Sequence, residues 1–518
     1  MKKGFTLVEL LGVIIVLGII GLLAFPPIIN LIRTERNNVS DATLKLIYSA
    51  AESYMDDNRD TYPIKEDTEY CISLQKLLDA GELASPITDA QTGNNIPLNK
   101  EVYIGILNVG DVTYDLVDAG TCGYSDVSGA KAPELSDGMI PIVYNFDLSK
   151  WVKADIKKDW YGYEDQRWAN AALVDATSRS AYKSAPAGTV IEDSQVLAYL
   201  VWIPRFRYRI FNSGFLSVPV QEIKIVFEGS KTSKSNGLIN GEWLTHPAFT
   251  YGTTELNGFW VGKFETTGTA VSPTIKPNVT ALRSQSISAQ FTTAQLFSTS
   301  VYGLTSANDS HIIKNTEWGA VAYLSQSKYG KYGNAMYDGT VGLEKEIWIN
   351  PNSNNLTGCA GNSASAASTT SCNAYTTTNG AKASTTGNIY GVFDMSGGSE
   401  EYVMGAQYNS GNTTVTIAST GFSQATIDSA NMNKYVDKYL YGTTTSDQTA
   451  YNRSIFGDAI GETRSWYSDY SRVVYTSGAW FVRGGAYSHT TQAGIYYSGA
   501  VGGGASSAFT FRTVILGD

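Results

Sequence analysis

The chain has 518 residues, 43% of them hydrophobic, and a net charge of −10, so it is long enough for more than one domain and apolar enough for a large core. Charged residues make up only 17%, and the acidic balance argues against a nucleic-acid binder, which needs clustered Lys and Arg for phosphates. Fifty glycines and 33 tyrosines, with abundant Ser, Thr and Asn, predict β-structure, turns and a polar-aromatic surface.

The chain opens on KKGFTLVELLGVIIVLGIIGLLAFPP. No charge falls between Leu10 and Phe25, and the apolar run continues to Ile32 before Arg33. A helix from Phe5 to Ile32, rising roughly 1.5 Å per residue, spans a bilayer core. No A-x-A cleavage site follows the run, as a removable secretory signal would require. Lys2 and Lys3 predict a cytoplasmic N-terminus. Glu9 lies inside the apolar segment, where an acid is costly unless paired.

The residues KKGFTLVEL resemble the class III leader of type IV pilins and pseudopilins: a short basic leader, Gly4, aromatic Phe5, and Glu9 as the fifth residue counted from Phe5. The resemblance implies cleavage by prepilin peptidase between Gly4 and Phe5 and methylation of the new amine. Glu9 would then pair with the Phe5 amine of a neighbouring subunit. An ion pair in low dielectric specifies register, because stranding either charge is costly. Pro26 and Pro27 fit a kinked helix.

The helix is expected to run on to about residue 57, with Val39, Ala42, Leu46, Ala50 and Tyr54 at three- and four-residue steps. Residues 58–125 then read as a small pilin-like head. In it EVYIGILNVGDVTYDLV forms a hairpin of alternating strands about NVGD. The four cysteines fall into two sequence-local pairs, Cys71/Cys122 and Cys359/Cys372, without C-x2-C zinc spacing. Disulfides are expected for an exported chain; four unpaired thiols are the alternative. SDVSGAKAPELSDG opens a linker over 126–145.

Residues 146–518 are too many for decoration on a pilin head. Short strands and long loops are expected there, with isolated helices around SQVLAYL or NTEWGAVAYLSQSKYG and a solvent-exposed loop over STTSCNAYTTTNGAKASTTGN. The ordered segments YLVWIPRFRYRI, GFWVGKFETT, NTEWGAVAYLSQ with NIYGVFDMSGGSEEYV, and WFVRGGAY…FTFRTVI resemble the formylglycine-generating-enzyme branch of the C-type-lectin-like fold. The expected fold class is therefore α+β: a long pilin helix with a small β head, then a large lectin-like domain. Trp202, Trp260, Trp318 and Trp480 are expected in its core.

The family's activity does not transfer. No cysteine follows Arg483-Gly484-Gly485, where sulfatase-activating members bind copper. The three histidines, His246, His311 and His489, are widely separated, without ligand spacing. Glu400 and Glu401 either hold an ion or form a solvated or capping acid pair. No G-x-S-x-G, Walker loop or H-E-x-x-H is present, so no catalytic residue, metal or cofactor is expected.

What remains is a binding surface. No Asp, Glu, Lys or Arg lies between Gly484 and Phe511. The mix of Tyr, Ser, Thr and Gly there is close to an antibody-loop alphabet. Lectin-fold proteins diversified by retroelements vary such a stretch between an RGG-like motif and a closing F-R, and this segment resembles one. The expected ligand contacts are Trp466, Tyr467, Tyr470, Tyr487, Ser488, His489, Thr490, Tyr496 and Tyr497. A glycine-rich loop packed on the core is the alternative. Together these features predict a minor, tip-located pilin acting as an adhesin for a surface protein or glycan. It would sit in the inner membrane before assembly and on the cell surface after it. Its partners would be other pilin subunits and prepilin peptidase, with no nucleic acid. A displayed enzyme and a component of a type II secretion-like machine are the competing readings.

Overall fold

The structure is a computed structural model that describes residues 40–59, 62, 64, 68–98, 100–108, 111–117, 126, 128–156, 160–228, 241–333, 345–442, 455–472 and 478–517. The chain divides into two compact units, Met1–Cys122 and Gly123–Asp518. The expected leader, the membrane-crossing part of the helix, and Gly4, Phe5 and Glu9 lie outside the described residues, as does Cys122, the expected partner of Cys71. Among the described residues no helix is long and apolar enough to cross a membrane.

In the smaller unit, helix α1 (Asp41–Asp57) buries Thr43, Ile47, Ala50, Ala51 and Met55. This corrects the expected stripe: of Ala42, Leu46, Ala50 and Tyr54, only Ala50 is on the buried face, and Leu46 is 59% exposed. Two overlapping stripes satisfy the three- and four-residue spacing. The one that wins also lets the Tyr48 hydroxyl accept from the Leu116 backbone N–H at 3.0 Å. Strand β1 (Thr68–Ser73) leads into helix α2 (Leu74–Asp79), where the Ser73 hydroxyl caps the Lys76 N–H. Strands β2 (Glu101–Asn108) and β3 (Asp111–Val117) form the expected antiparallel hairpin, and β1 adds to it in the order β1-β2-β3. Val102, Ile104 and Ile106 alternate onto the buried face.

The larger unit contains strands β4 (Met139–Asn145), β5 (Lys150–Lys153), β6 (Asn170–Val174), β7 (Val196–Pro204), β8 (Gly258–Gly262) and β9 (His311–Ile312), then helix α3 (Asn315–Ser325). Strands β10 (Glu400–Gln407), β11 (Asp437–Tyr439), β12 (Trp480–Gly484), β13 (Gly494–Val501), β14 (Phe509–Phe511) and β15 (Thr513–Ile515) follow. A seven-stranded antiparallel sheet runs β9-β15-β8-β7-β6-β4-β5. A second sheet runs β11-β10-β12-β13, with β14 also paired to β10. The architecture is mixed α+β, mostly strands and loops with few helices. Trp202, Trp260, Trp318 and Trp480 are fully buried, as expected.

Three local expectations change. SQVLAYL is not helical: Val196–Pro204 is a central strand, buried along almost its whole length. A continuous apolar run flanked by strands on both sides suits a strand covered on both faces. The expected linker ends early, because Met139–Asn145 already pairs with β5 and β6. The loop after Cys372 is exposed only in its first half; Ser384, Thr385 and Thr386 are fully buried. Their hydroxyls replace water as partners: Ser384 donates to the Asn388 carbonyl at 2.6 Å, and Thr385 accepts from the Val392 N–H at 2.9 Å.

Candidate functional site

The charge-free late segment is held at each end by a fully buried arginine. Arg483 leaves β12 with no exposed surface. Its guanidinium donates to the carbonyls of Tyr497 (2.7 Å), Asp458 (2.8 Å) and Ala459 (2.8 Å), and to Asn315 Oδ1 (3.2 Å). Burial lowers its pKa to about 10, so it remains charged at neutral pH. At the other end Arg512, between β14 and β15, forks onto the Glu401 carboxylate at 3.1 and 2.5 Å. It also donates to the Gly262 and Phe393 carbonyls at 2.8 and 2.9 Å. Because Gly262 ends β8 and Glu401 lies in β10, this side chain ties the two sheets together. A bidentate Arg–carboxylate pair fixes orientation as well as distance.

Glu400 and Glu401 therefore part company: Glu401 is buried and Glu400 half-buried. Glu401 is fully buried on Arg512, and burial lifts its carboxyl above the ordinary range against the pull of the guanidinium. Glu400 accepts from the Tyr497 hydroxyl at 2.6 Å. Among the described residues no group of three or more His, Cys, Asp or Glu side chains is placed to hold a metal ion.

Between the arginines, the chain leaves β12 through Gly484 and Gly485, both left-handed at φ of 81° and 74°. A Cβ on Gly485 would lie 2.9 Å from the Ala493 Cα, so both backbone conformation and space call for glycine. Main-chain bonds shape the loop that follows. The Tyr487 N–H donates to the Gly398 carbonyl (2.8 Å), His489 to Ala486 (2.9 Å), Gln492 to His489 (3.0 Å) and Ala493 to Thr490 (3.2 Å). One side chain contributes, the His489 Nδ1 accepting from the Ala486 N–H at 3.1 Å.

The 465–470 turn joins this loop through the Tyr470 N–H, which donates to the Gln492 carbonyl at 3.0 Å. Asp469, itself buried, accepts from the Tyr496 N–H at 2.9 Å. Burial pushes its carboxyl well up. A Cβ on Gly494 would come within 2.1 Å of both its oxygens. Ser465, Tyr467, Ser468 and Thr490 all take left-handed backbone, with φ between 51° and 75°. That conformation is uncommon for residues other than glycine and for Thr, being β-branched, a genuine outlier.

The nine expected contacts divide into two layers. Trp466, Tyr496 and Tyr497 are buried at 1%, 1% and 6%, so for these three the packed-core alternative holds. The Trp466 indole donates to the Val218 carbonyl at 2.9 Å, and its ring meets Tyr496 edge-on at 5.2 Å. Tyr496 donates to Gln326 Oε1 at 3.2 Å. Tyr467, Tyr470, Tyr487, His489 and Thr490 are half-buried, and Ser488 is exposed. Tyr467 stacks on Tyr496, while Tyr470 and His489 lie over Tyr497 at 5.7 and 5.4 Å. The buried rings form a floor and the half-exposed ones stand on it. Ser465, Ser468, Thr491 and Gln492 are exposed alongside and extend the patch. Position within the charge-free run was the signal for the last two. Residues 502–508 lie at the other end of the eight-residue strand β13, roughly 26 Å of extended chain away, and do not belong to this patch. No protein-family model and no curated protein matches the chain.

Proposed function

We propose that the chain is a minor type IV pilin or pseudopilin whose large α+β unit, read as a C-type-lectin-like domain, is an adhesin. The observation that carries the binding half is the contrast between frame and loop. Arg483 and Arg512 grip both ends of the segment, and main-chain bonds set its path. Among the described residues the side chains of Tyr470, Tyr487, Ser488 and Thr490 make no hydrogen bond to the protein and can change identity with little cost to the fold, whereas Tyr467 bonds Gln326 and His489 bonds the Ala486 N–H. Rigid Tyr with small polar neighbours suits a macromolecular contact at low entropic cost. The pilin half rests on KKGFTLVEL. In this reading the protein waits in the inner membrane, is cut after Gly4, and pairs Glu9 with the amine of a neighbouring subunit in a filament.

Two experiments test the two halves separately. N-terminal sequencing of membrane-extracted protein is expected to begin at Phe5; a start beyond residue 25 overturns the pilin reading. Filaments carrying Tyr470→Ala with Tyr487→Ala are expected to assemble normally yet lose attachment to target cells. Unchanged attachment overturns the late-loop site.

A further inference from the structure

The larger unit also has a cleft of about 590 Å³, built from other parts of the chain. Its volume lies within the roughly 300–1,000 Å³ of small-molecule sites. Its aromatic lining is Tyr144, Trp151, Tyr199 and Tyr375, all at most 8% exposed and so fixed in place. Phe146 extends this surface outward. It packs edge-on to Tyr144 at 5.1 Å but remains 68% exposed at the tip of the 146–149 turn. Ser149 and Asn278, on the rim, both hold left-handed backbone at φ of 51° and 57°.

Polar groups are interleaved with the rings. The Tyr375 hydroxyl accepts from the Trp151 indole N–H at 3.0 Å, and among the described residues no protein acceptor takes its own proton. Burial raises its pKa, so it stays a donor. Among the described residues nothing in the protein bonds the Asn278 side-chain amide, although the backbone N–H of Asn278 donates to the Thr357 carbonyl at 2.8 Å. Each lysine at the rim has an acidic neighbour. Lys150 lies 3.9 Å from Glu192, and Lys276 donates to the Asp193 carbonyl at 2.8 Å, next to the Asp193 carboxylate that accepts from Tyr199. The Cys359–Cys372 disulfide, with Cα atoms 5.2 Å apart, joins the wall at Thr357 and Gly358 to the wall at Ala374–Thr376.

We propose that this cleft binds a neutral saccharide. Ring faces of a sugar are apolar C–H surfaces that pack on aromatic rings, while its hydroxyls need both donors and acceptors at fixed positions. The exposed Phe146 ring with the outer edges of Tyr144 and Tyr375, a spare tyrosine donor, the Asn278 amide, and rim lysines that each have an acidic neighbour meet both needs. A charged ligand would instead call for an unmatched Lys or Asp. The inference does not rest on the late-loop reading, because no late-segment residue lines the cleft.

The test uses the full chain in a non-glycosidic detergent, with saturation-transfer NMR on three probes: an N-acetylglucosamine trimer, maltotriose and sialyllactose. Transfer to the ring protons of at least one neutral probe is expected. Phe146→Ala, which removes an exposed ring, and Asn278→Gly, which suits the backbone, should each weaken it by about tenfold or more. Replacing both Cys359 and Cys372 by Ser should weaken it too. Tyr487→Ala should leave it unchanged. No transfer to either neutral probe, transfer to sialyllactose alone, or transfer that survives both Phe146→Ala and Asn278→Gly overturns the proposal. Loss in Tyr487→Ala would move the sugar to the late loop and also overturn it.

Discussion

Tyr487 and Tyr496 are nine residues apart in one charge-free segment, yet their replacement by alanine should have opposite consequences. Tyr496 is 1% exposed, touches Trp466 and Tyr467, and bonds Gln326. Truncating a buried aromatic leaves a cavity and costs about 3–5 kcal/mol. Tyr496→Phe removes only the hydroxyl and should cost about 1 kcal/mol. Tyr487 is half-buried and held through its backbone, so Tyr487→Ala should stay within about 0.5 kcal/mol. All ten tryptophans lie beyond residue 150, so their fluorescence reports unfolding of the larger unit alone. With a urea dependence of about 3–4 kcal/mol per molar for a unit of this size, Tyr496→Ala should lower the midpoint by about 1 M and Tyr487→Ala should barely move it. The binding effects should be reversed: if Tyr487 is an anchor, its loss costs about 2 kcal/mol or more of affinity. A Tyr496→Ala midpoint equal to that of the parent chain would refute the floor-and-contact division.

Other consequences are equally direct. Glu401→Gln should cost about 3–5 kcal/mol in the same urea assay, because it strands the Arg512 charge in a dry site; a midpoint unchanged from the parent would show the pair to be dispensable. Burial lifts the fully buried Glu462 carboxyl to about 8, so the folded state keeps a proton that the unfolded chain has lost above about pH 4.3. Stability of the larger unit should therefore fall by up to about 1.4 kcal/mol per pH unit from this group between those values and level off above pH 8, and Glu462→Gln should flatten the curve. Removing the Cys359–Cys372 bond, which closes a sequence separation of 13, should cost about 3 kcal/mol by loop entropy. Non-reducing peptide mapping checks the bond itself.

Much of the fold follows from local pattern. Alternation in EVYIGILN and DVTYDLV is enough for the β2–β3 hairpin, since a period of two leaves only one way to bury Val102, Ile104 and Ile106. NTEWGAVAYLS becomes α3, and the isolated aromatic segments become core because their large apolar rings gain most by leaving water. Composition also marks the late segment as unusual, since a charge-free run of that length is visible without coordinates.

Tertiary structure decided what periodicity leaves degenerate. VLAYLVWIP is apolar at nearly every position, which fits a buried helix and a doubly covered strand equally, and only its neighbours β6 and β8 select the strand. Helix α1 offers two stripes, and the partner surface chose Ile47 over Leu46. Tyr487 and Tyr496 are the same residue in the same composition, and sequence cannot rank their exposure, because burial depends on where β13 lies against Trp466 and Gln326. Nor does spacing reveal that Arg483 and Arg512 hold main-chain carbonyls and one buried glutamate, or that residues near 144, 199, 278 and 375 meet in one cleft. The Arg512 contacts join positions more than a hundred residues apart, as does the cleft, and long-range packing, not local preference, brings them together.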